Sequence, residues 1–398
     1  MSNKGVNIIG IGAVSSCGAG VKTLVEHIRE GLDSTSLVSI SPSIPERFKV
    51  SFIPGREEAV KRAKTAEEFI DAVILKAVNE AMIQAEADSK FLKDCALIIG
   101  SSGFILEAEI EYRIKNLSPK SLIGEQKGET MPAPLARLGA GHIASRIARR
   151  LGINGPVITI TTACTSSANA MLAAGGMIER GDIKKAIVIG AEFISAVTVS
   201  GFNSLMLLDP GGCKPFDADR RGIQMGEACA AIIMEKKEKT SKDRYSLCGW
   251  ANLCDTHNVV SSRLNGASAY DVMLKAIKQV GIEPRDVTAI KAHGIATPDN
   301  DTAEAGGISL LFDGAAPPFT ALKGYIGHTL GACGAIETAA FIGCLDAGFI
   351  PRTFGFSEID PAIGIAPLKT HLDAKRGYYL LNFFGFGGNN TSLVLRYG

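Results

Sequence analysis

The sequence predicts an α/β protein with two similar halves, and three observations support this prediction. Short apolar runs rich in β-branched residues recur along the chain, each ending in or near glycine. Segments with Ala-rich faces lie between these runs. The same rhythm resumes after a charged stretch, 235–244, although the two halves share no visible sequence identity. Such alternation is typical of mostly parallel sheets covered by helices.

Each element of the first half follows from its local pattern. Short apolar runs predict buried strands at 6–11, 96–99, 157–160 and 186–189. Ala-rich faces predict helices at 65–86 and 167–180. The stretch 117–134 is the most loop-like long segment, and we expect a surface excursion there.

The second half repeats the pattern after the charged stretch. We predict strands at 247–253, 287–292, 378–383 and 392–396, and helices at 270–280 and 329–346. A polar, charged interruption of an otherwise apolar pattern indicates a boundary between domains. We therefore place the two halves at residues 1–240 and 241–398.

Composition excludes several classes of function. The chain has 398 residues, with 42 Lys and Arg against 41 Asp and Glu, and this balance argues against a nucleic-acid partner. The longest uncharged stretch, 151–178, contains proline and a Thr/Ser cluster, which favours a buried core segment over a membrane span. Nine scattered cysteines without a CxxC pair predict neither a metal site nor a disulfide framework. Together with the lack of a secretory pattern, they predict a reducing, cytoplasmic location.

Cys164 is the first candidate for chemistry, because it lies between a predicted strand and an Ala-rich helix. A cysteine at a strand-to-helix turn lies at the positive end of a helix dipole, where backbone N–H groups can stabilise a thiolate and later an oxyanion. The neighbouring Ala, Thr and Ser residues are small enough to let a substrate approach. A buried structural thiol is the alternative interpretation.

Two histidines form the second group of candidates. His293 follows a predicted strand, and His328 precedes a predicted helix, with Lys323 before it and Glu337 nine residues after it. A histidine near a helix N-terminus tends to stay neutral, so that its N–H can donate to a developing negative charge. Each histidine alone also fits a purely structural role.

A glycine-rich turn after the last-but-one strand, 382–390, is the third feature. It lacks the Lys and Ser/Thr of a phosphate-binding P-loop, so a nucleotide site is not favoured. Its glycines stand beside Phe384 and Phe386. This pattern fits a backbone N–H aimed at a substrate, together with an aromatic gate.

These stretches, with the motifs at 190–192, 215–217 and 225–227, resemble the β-ketoacyl-acyl-carrier-protein synthases, the decarboxylating condensing enzymes of the thiolase superfamily. The resemblance covers the chain from Gly10 to Gly398. It implies a five-layered αβαβα fold, an acyl carrier protein as partner, and either a homodimer or a heterodimer with a related subunit. It implies no cofactor, since the substrates are carried on the phosphopantetheine of the carrier.

The resemblance also implies roles for the catalytic residues. Cys164 would take the acyl group from a carrier thioester. His293 and His328 would hold the malonyl thioester carbonyl during decarboxylation. Lys323 and Glu337 would orient His328.

The remaining positions of the family pattern concern the substrate. The backbone N–H groups of Cys164 and Phe386 would form the oxyanion hole, with Phe386 and Phe384 at the gate. Thr297 would contact the pantetheine arm. Gly103 and Phe104 stand where related synthases set the depth of the acyl pocket.

Several departures from the family pattern argue against an ordinary fatty-acid assignment. Ile295 replaces a usual Thr, Arg221 replaces a usual Asp, and Phe383 and Asn389 replace smaller or hydroxylated residues. A specialised polyene or polyketide synthase is therefore the main alternative. A thiolase is less favoured because its second cysteine is missing from the glycine-rich turn. A non-catalytic chain-length-factor subunit is less favoured because Cys164 is present.

A docking surface for the carrier is also expected. Carrier proteins are acidic, so a local basic patch would favour their association. The candidate residues are Lys61, Arg62, Lys64, Arg146, Arg149 and Arg150.

Overall fold

One mixed β-sheet runs through the part of the chain that the computed structural model describes, residues 5–39, 47–56, 66–103, 139–236 and 244–398. Its ten main strands are β1 (Val6–Ser15), β2 (Ala96–Gly100), β3 (Val157–Ile160), β4 (Lys185–Glu192), β5 (Ala228–Lys236), β6 (Tyr245–Cys254), β7 (Val287–Lys291), β8 (Phe319–Thr320), β9 (Gly377–Phe384) and β10 (Asn389–Tyr397). The short strand Gly18–Ala19 pairs with β1. Two small sheets contain the strands Ser36–Ser39, Arg47–Ser51 and Met225–Gly226, and the strands Phe349–Ile350 and Leu372–Asp373.

The strand order repeats between the two halves. Across the sheet the first half has the order β3-β2-β4-β5-β1, and the second has the matching order β8-β7-β9-β10-β6. In both halves the first three strands of this order pair in parallel with their neighbours. The last two strands of each order pair antiparallel. Antiparallel pairing of β1 with β6 joins the halves. The predicted duplication is confirmed, while the predicted boundary at 240/241 lies outside the described residues.

The prediction of mostly parallel sheets is wrong, and the connections explain why. Only a four-residue turn, 385–388, separates β9 from β10. Parallel neighbours need a crossover of about a dozen residues or more, so a turn this short leaves antiparallel pairing as the solution. In the first half, β5 lies antiparallel between β4 and β1.

The described helices are α1 (Val21–Glu30), α2 (Ala66–Gln84), α3 (Ser89–Lys93), α4 (Ala140–Leu151), α5 (Ser166–Arg180), α6 (Ala196–Ser204), α7 (Ala267–Val280), α8 (Pro298–Leu311), α9 (Lys323–Ile326) and α10 (Cys333–Asp346). Short 3₁₀ turns are Ala163–Thr165, Pro284–Asp286, Leu330–Ala332 and Phe386–Gly388. Within these segments, no helix combines the length and apolar character that crossing a membrane requires.

The helices form three layers around the two halves of the sheet. Helices α5 and α10 pack against each other in the middle, and α5 contacts strands of both halves. Helices α2 and α4 cover the outer face of the first half, and α7 covers that of the second, with α8 packed against it. This arrangement agrees with the predicted αβαβα layering. It brings the N-termini of α5 and α10, one from each half, to the centre of the molecule.

Gly334 allows the two central helices to approach closely. A Cβ atom at this position would lie 2.1 Å from the backbone nitrogen of Ala168 on α5. We expect Gly334→Ala to lower the free energy of unfolding by about 2 kcal/mol, because overpacked cores are strained. Gly141→Ala is the matched control on α4, where an added Cβ meets nothing within 4 Å. There a helical alanine should stabilise by about 0.5–1 kcal/mol. Equal effects of the two variants in denaturant titrations would contradict this account.

Candidate active site

Cys164 lies at the N-terminus of the central helix α5. Strand β3 ends at Ile160, and the 3₁₀ turn Ala163–Thr165 leads directly into the helix. Ala163 has a left-handed backbone with φ of 51°, which marks a tight turn. The backbone N–H groups of Cys164 itself and of Phe386 favour negative charge on the sulfur. Backbone donors at a helix start can therefore stabilise an anion here.

A polar network ties the Cys164 turn to the second half. The Oδ1 atom of Asn389 accepts hydrogen bonds from Thr165 Oγ1 at 2.6 Å and from Asn169 Nδ2 at 2.8 Å. Asn252 Nδ2 donates to the same oxygen at 2.8 Å. Asn389, one of the departures from the family pattern, thus connects three elements behind the cysteine.

His328 contacts Cys164 directly. Its Nε2 atom lies 3.1 Å from Cys164 Sγ, and its Nδ1 atom lies 3.1 Å from Cys333 Sγ. The backbone of His328 is held by Gln224, whose carbonyl accepts its N–H at 2.6 Å. The imidazole of His293 stands nearly perpendicular to that of His328, with 5.8 Å between the ring centroids. The structure therefore brings together the cysteine and both histidines that the sequence singled out.

His293 is positioned by buried charged groups. Glu304 accepts the backbone N–H groups of His293 and Gly294 at 2.8 and 2.9 Å. Lys323 Nζ donates to the carbonyl of His293 at 2.7 Å and lies 3.4 Å from its Nδ1. The expectation that Lys323 orients His328 is therefore corrected, because the lysine contacts His293 instead.

Glu337 lies between two buried lysines. Its carboxylate accepts from Lys323 at 2.7 Å and from Lys291 at 2.6 Å, and all three side chains are inaccessible to solvent. Lys291 also donates to the carbonyl of Asn382 at 2.7 Å and lies 3.6 Å from the centroid of the Phe383 ring. Lys291 was not among the residues predicted from the sequence. The available signal was a lysine at the end of an otherwise apolar strand, since a buried lysine requires a counter-ion.

The electrostatics favour neutral imidazoles. Burial, assisted by the charges of Lys323 and Lys291, holds the pKa of His293 and of His328 well below the usual value. Burial raises the pKa of Cys164 to about 11, against the opposing effects of Lys323 and the Phe386 N–H. Burial also opposes the charge on Glu337, but Lys291 and Lys323 outweigh it and lower the pKa of this carboxyl.

A narrow pocket opens onto these groups. It is lined by Cys164, both histidines and mainly apolar neighbours, namely Phe202, Leu207, Ile223, Val259, Val260, Ile295, Phe384 and Phe386. Thr297, which precedes α8, also lines it. The ring of Phe386 stacks on that of Phe202 with 5.5 Å between centroids. The mainly apolar lining, with the cysteine and both imidazoles among it, suits an uncharged substrate group.

Gly103 does not line the pocket that the described residues form. Its backbone N–H donates to Ser101 Oγ and to Glu192 Oε1, both at 3.0 Å. Glu192 also accepts the backbone N–H groups of Ser102 at 2.7 Å and of Gly331 at 3.1 Å. These hydrogen bonds give Gly103 a structural role, while its predicted substrate role stays a prediction, and Phe104 lies outside the described residues.

The predicted docking residues fall into three groups. Lys61, Arg62 and Lys64 lie outside the described residues. Arg149 and Arg150 are exposed, and Arg150 pairs with Asp71 at 3.1 Å.

Arg146 is different, since its side chain is only 12% exposed and binds Asp71 at 2.6 Å. This geometry contradicts a docking role for Arg146.

Arg221, another of the departures from the family pattern, is exposed. Within the described ranges, no group of three or more His, Cys, Asp or Glu residues could hold a metal ion.

Known families and relatives match this chain over most of its length. The family model described as "Beta-ketoacyl synthase, N-terminal domain" matches residues 3–240, and "Beta-ketoacyl synthase, C-terminal domain" matches residues 246–357. A mitochondrial 3-oxoacyl-[acyl-carrier-protein] synthase of Arabidopsis thaliana is 28% identical, over 99% of this chain and 93% of its own length. Nodulation protein E of Rhizobium sp. (strain N33) is also 28% identical, over 98% of each chain.

Solved structures agree with the fold. The complex of a ketosynthase with its chain length factor from Xenorhabdus doucetiae matches with a TM-score of 0.81 and 25% identity, covering 99% of this chain and 98% of that chain. A β-ketoacyl synthase from Burkholderia phymatum STM815 matches with a TM-score of 0.84 and 24% identity, over 99% of this chain and 100% of that chain. Since the two family models together span most of its length, the chain belongs to the beta-ketoacyl synthase family.

Proposed function

We propose that this protein condenses an acyl group on Cys164 with malonyl-acyl-carrier-protein, giving 3-oxoacyl-acyl-carrier-protein, CO2 and free carrier. One observation carries the proposal. Cys164 Sγ lies 3.1 Å from His328 Nε2, in the pocket that His293 and Phe386 also line. A soft nucleophile, two neutral imidazoles and a backbone donor are the groups that this chemistry requires.

Acyl transfer to Cys164 comes first. The sulfur attacks the thioester carbonyl of the acyl carrier, and the backbone N–H groups of Cys164 and Phe386 stabilise the tetrahedral oxyanion. The bond from the carbonyl carbon to the carrier sulfur then breaks as the bond to Cys164 remains. The thiol proton of Cys164 passes to the departing carrier sulfur. The first carrier leaves free, and the acyl group stays on the enzyme.

Decarboxylation and condensation follow in the same pocket. The N–H groups of His293 and His328 hold the malonyl thioester oxygen while the bond to the carboxylate carbon breaks. CO2 leaves, and the electron pair forms an enolate whose oxygen those donors stabilise. The apolar pocket strengthens this interaction by excluding water. The enolate carbon then attacks the acyl carbonyl, the bond from that carbon to Cys164 sulfur breaks, and the released thiolate takes up a proton from solvent.

The partner and the assembly belong to the same proposal. We place the protein in the cytoplasm with an acyl carrier protein as partner and without a cofactor, since no step needs a redox group or a metal. We also propose a homodimer. Strand β3 lies at one end of the main sheet, and Val157 on it is 40% exposed. An apolar edge strand can pair with another chain, and a related chain-length-factor subunit is the alternative occupant.

The test combines purified malonyl carrier with acyl carriers of graded length. We expect a 3-oxoacyl product two carbons longer than the acyl group, with one CO2 released per product, and a mass increase on the Cys164 peptide when malonyl carrier is withheld. Cys164→Ala should lose both the product and the peptide adduct. Repeated extension without reduction would favour the polyketide-type alternative. Acylation of a different cysteine, with full activity of Cys164→Ala, would contradict the proposal.

A further inference from the structure

Cys333 is a second thiol in contact with the active-site imidazole. It is the first residue of α10, it is fully buried, and its Sγ lies 3.1 Å from His328 Nδ1. The hydroxyl of Thr329 donates to the same sulfur at 3.6 Å. The ring of His328 is thus placed between two sulfur atoms, Cys164 on its Nε2 side and Cys333 on its Nδ1 side.

The proton on a neutral imidazole can be on either nitrogen, and its place depends on the partner of each nitrogen. Burial raises the pKa of the Cys333 thiol, so this group keeps its proton across the physiological range. The Thr329 hydroxyl supplies a hydrogen bond to the sulfur, which leaves the S–H free to point at His328. A protonated thiol at this distance can donate to Nδ1.

We propose that Cys333 is a positioning residue that holds His328 in the tautomer with its proton on Nε2. That N–H then points at Cys164 Sγ in the free enzyme and at the malonyl thioester oxygen when substrate is bound. The opposite tautomer would present a lone pair to the developing enolate and repel it. This inference deepens the proposed function and rests on it for the identity of the substrate.

The experiment compares Cys333→Ala with Cys333→Ser, which keeps a donor at the same place. Cys344→Ala is the matched control, because Cys344 is a buried thiol on the same helix, eleven positions away. Two readouts are used. Nitrogen-15 NMR of histidine-labelled full-length protein reports which nitrogen of His328 carries the proton, with His328→Ala assigning the signal. Separate assays follow CO2 release from malonyl carrier and acylation of Cys164.

We expect wild type, Cys333→Ser and Cys344→Ala to show the Nε2–H form, and Cys333→Ala to show a mixture of tautomers. Cys333→Ala should slow CO2 release about tenfold, as expected for the loss of one oriented hydrogen bond. Acylation of Cys164 should change less, and serine should restore most of the rate. An unchanged tautomer in Cys333→Ala, or equal losses in the alanine and serine variants, would overturn the inference. The NMR readout needs no substrate, so it decides the tautomer even if the proposed reaction fails.

Discussion

Replacing His328 by alanine is expected to lower the rate of CO2 release from malonyl carrier by about 10²–10³-fold, the usual cost of removing one oxyanion donor. The loss is large because the imidazole is neutral and positioned: its Nδ1 contacts Cys333, and the backbone N–H of His328 donates to the carbonyl of Gln224. Such a donor needs no reorganisation when charge develops on the substrate oxygen. Water that entered in its place would be less well oriented.

Two comparisons make this prediction specific. Cys164→Ala should keep much of the CO2 release, because it leaves both imidazoles in place, while it abolishes acyl transfer. His142→Ala serves as the matched histidine control, since His142 lies on α4 outside the pocket lining. The measurements are CO2 release, acetyl-carrier formation and acyl-enzyme mass. A His328→Ala variant that releases CO2 at the wild-type rate would exclude the imidazole as a donor.

Glu337→Gln is expected to lower the free energy of unfolding by ~3–5 kcal/mol, because it leaves buried charges without their counter-ion. Lys291 and Lys323 both depend on this one carboxylate, and neither reaches solvent. Burial already lowers the pKa of Lys291 to about 8 despite the attraction of Glu337. Two ammonium groups facing a neutral amide would repel each other, and the surrounding core cannot hydrate them.

A double-mutant cycle separates the charge effect from simple loss of packing. Lys291→Met removes one charge while keeping most of the length of the side chain, and Glu337 still has Lys323 as its partner. We expect this variant to lose less stability than Glu337→Gln. The double variant should be more stable than Glu337→Gln alone, because only Lys323 then lacks a partner. Denaturant titration measures all three. Strictly additive losses would show that the cluster is not held together by charge.

Strands and helices with a simple local signal were predictable. Strand β3 and helix α5 match the predicted segments within one residue, because each is a clear apolar or Ala-rich segment. Helix α8 was missed, since it begins at a proline and contains adjacent glycines, so it shows little periodicity. Strand β5 was missed because its Ala-rich run resembles a helix as much as a buried strand. Its central place in the sheet depends on pairing partners far away in the sequence.

Site residues were predictable where a reactive residue type stands at the end of a strand or the start of a helix. Cys164, His293 and His328 each stand at the end of a strand or the start of a helix, and the fold brings them together. Lys291 and Cys333 were not singled out, because their significance lies in contacts with groups 46 and five positions away. Only the fold brings Glu337 on α10 to the end of β7 and turns the ring of His328 towards Cys333. The partner of Lys323 was misjudged for the same reason.

The central position of α10 has a consequence for how the chain is made. Every residue from Cys333 to Leu345 is buried, so this helix has no face suited to water. The first-half strands that it packs against and its neighbour α5 are synthesised earlier, and their inner faces stay uncovered until it emerges from the ribosome. Exposed apolar surface of this kind promotes aggregation in nascent chains. We therefore expect the growing polypeptide to need chaperone protection during most of its translation, and separately expressed halves to precipitate.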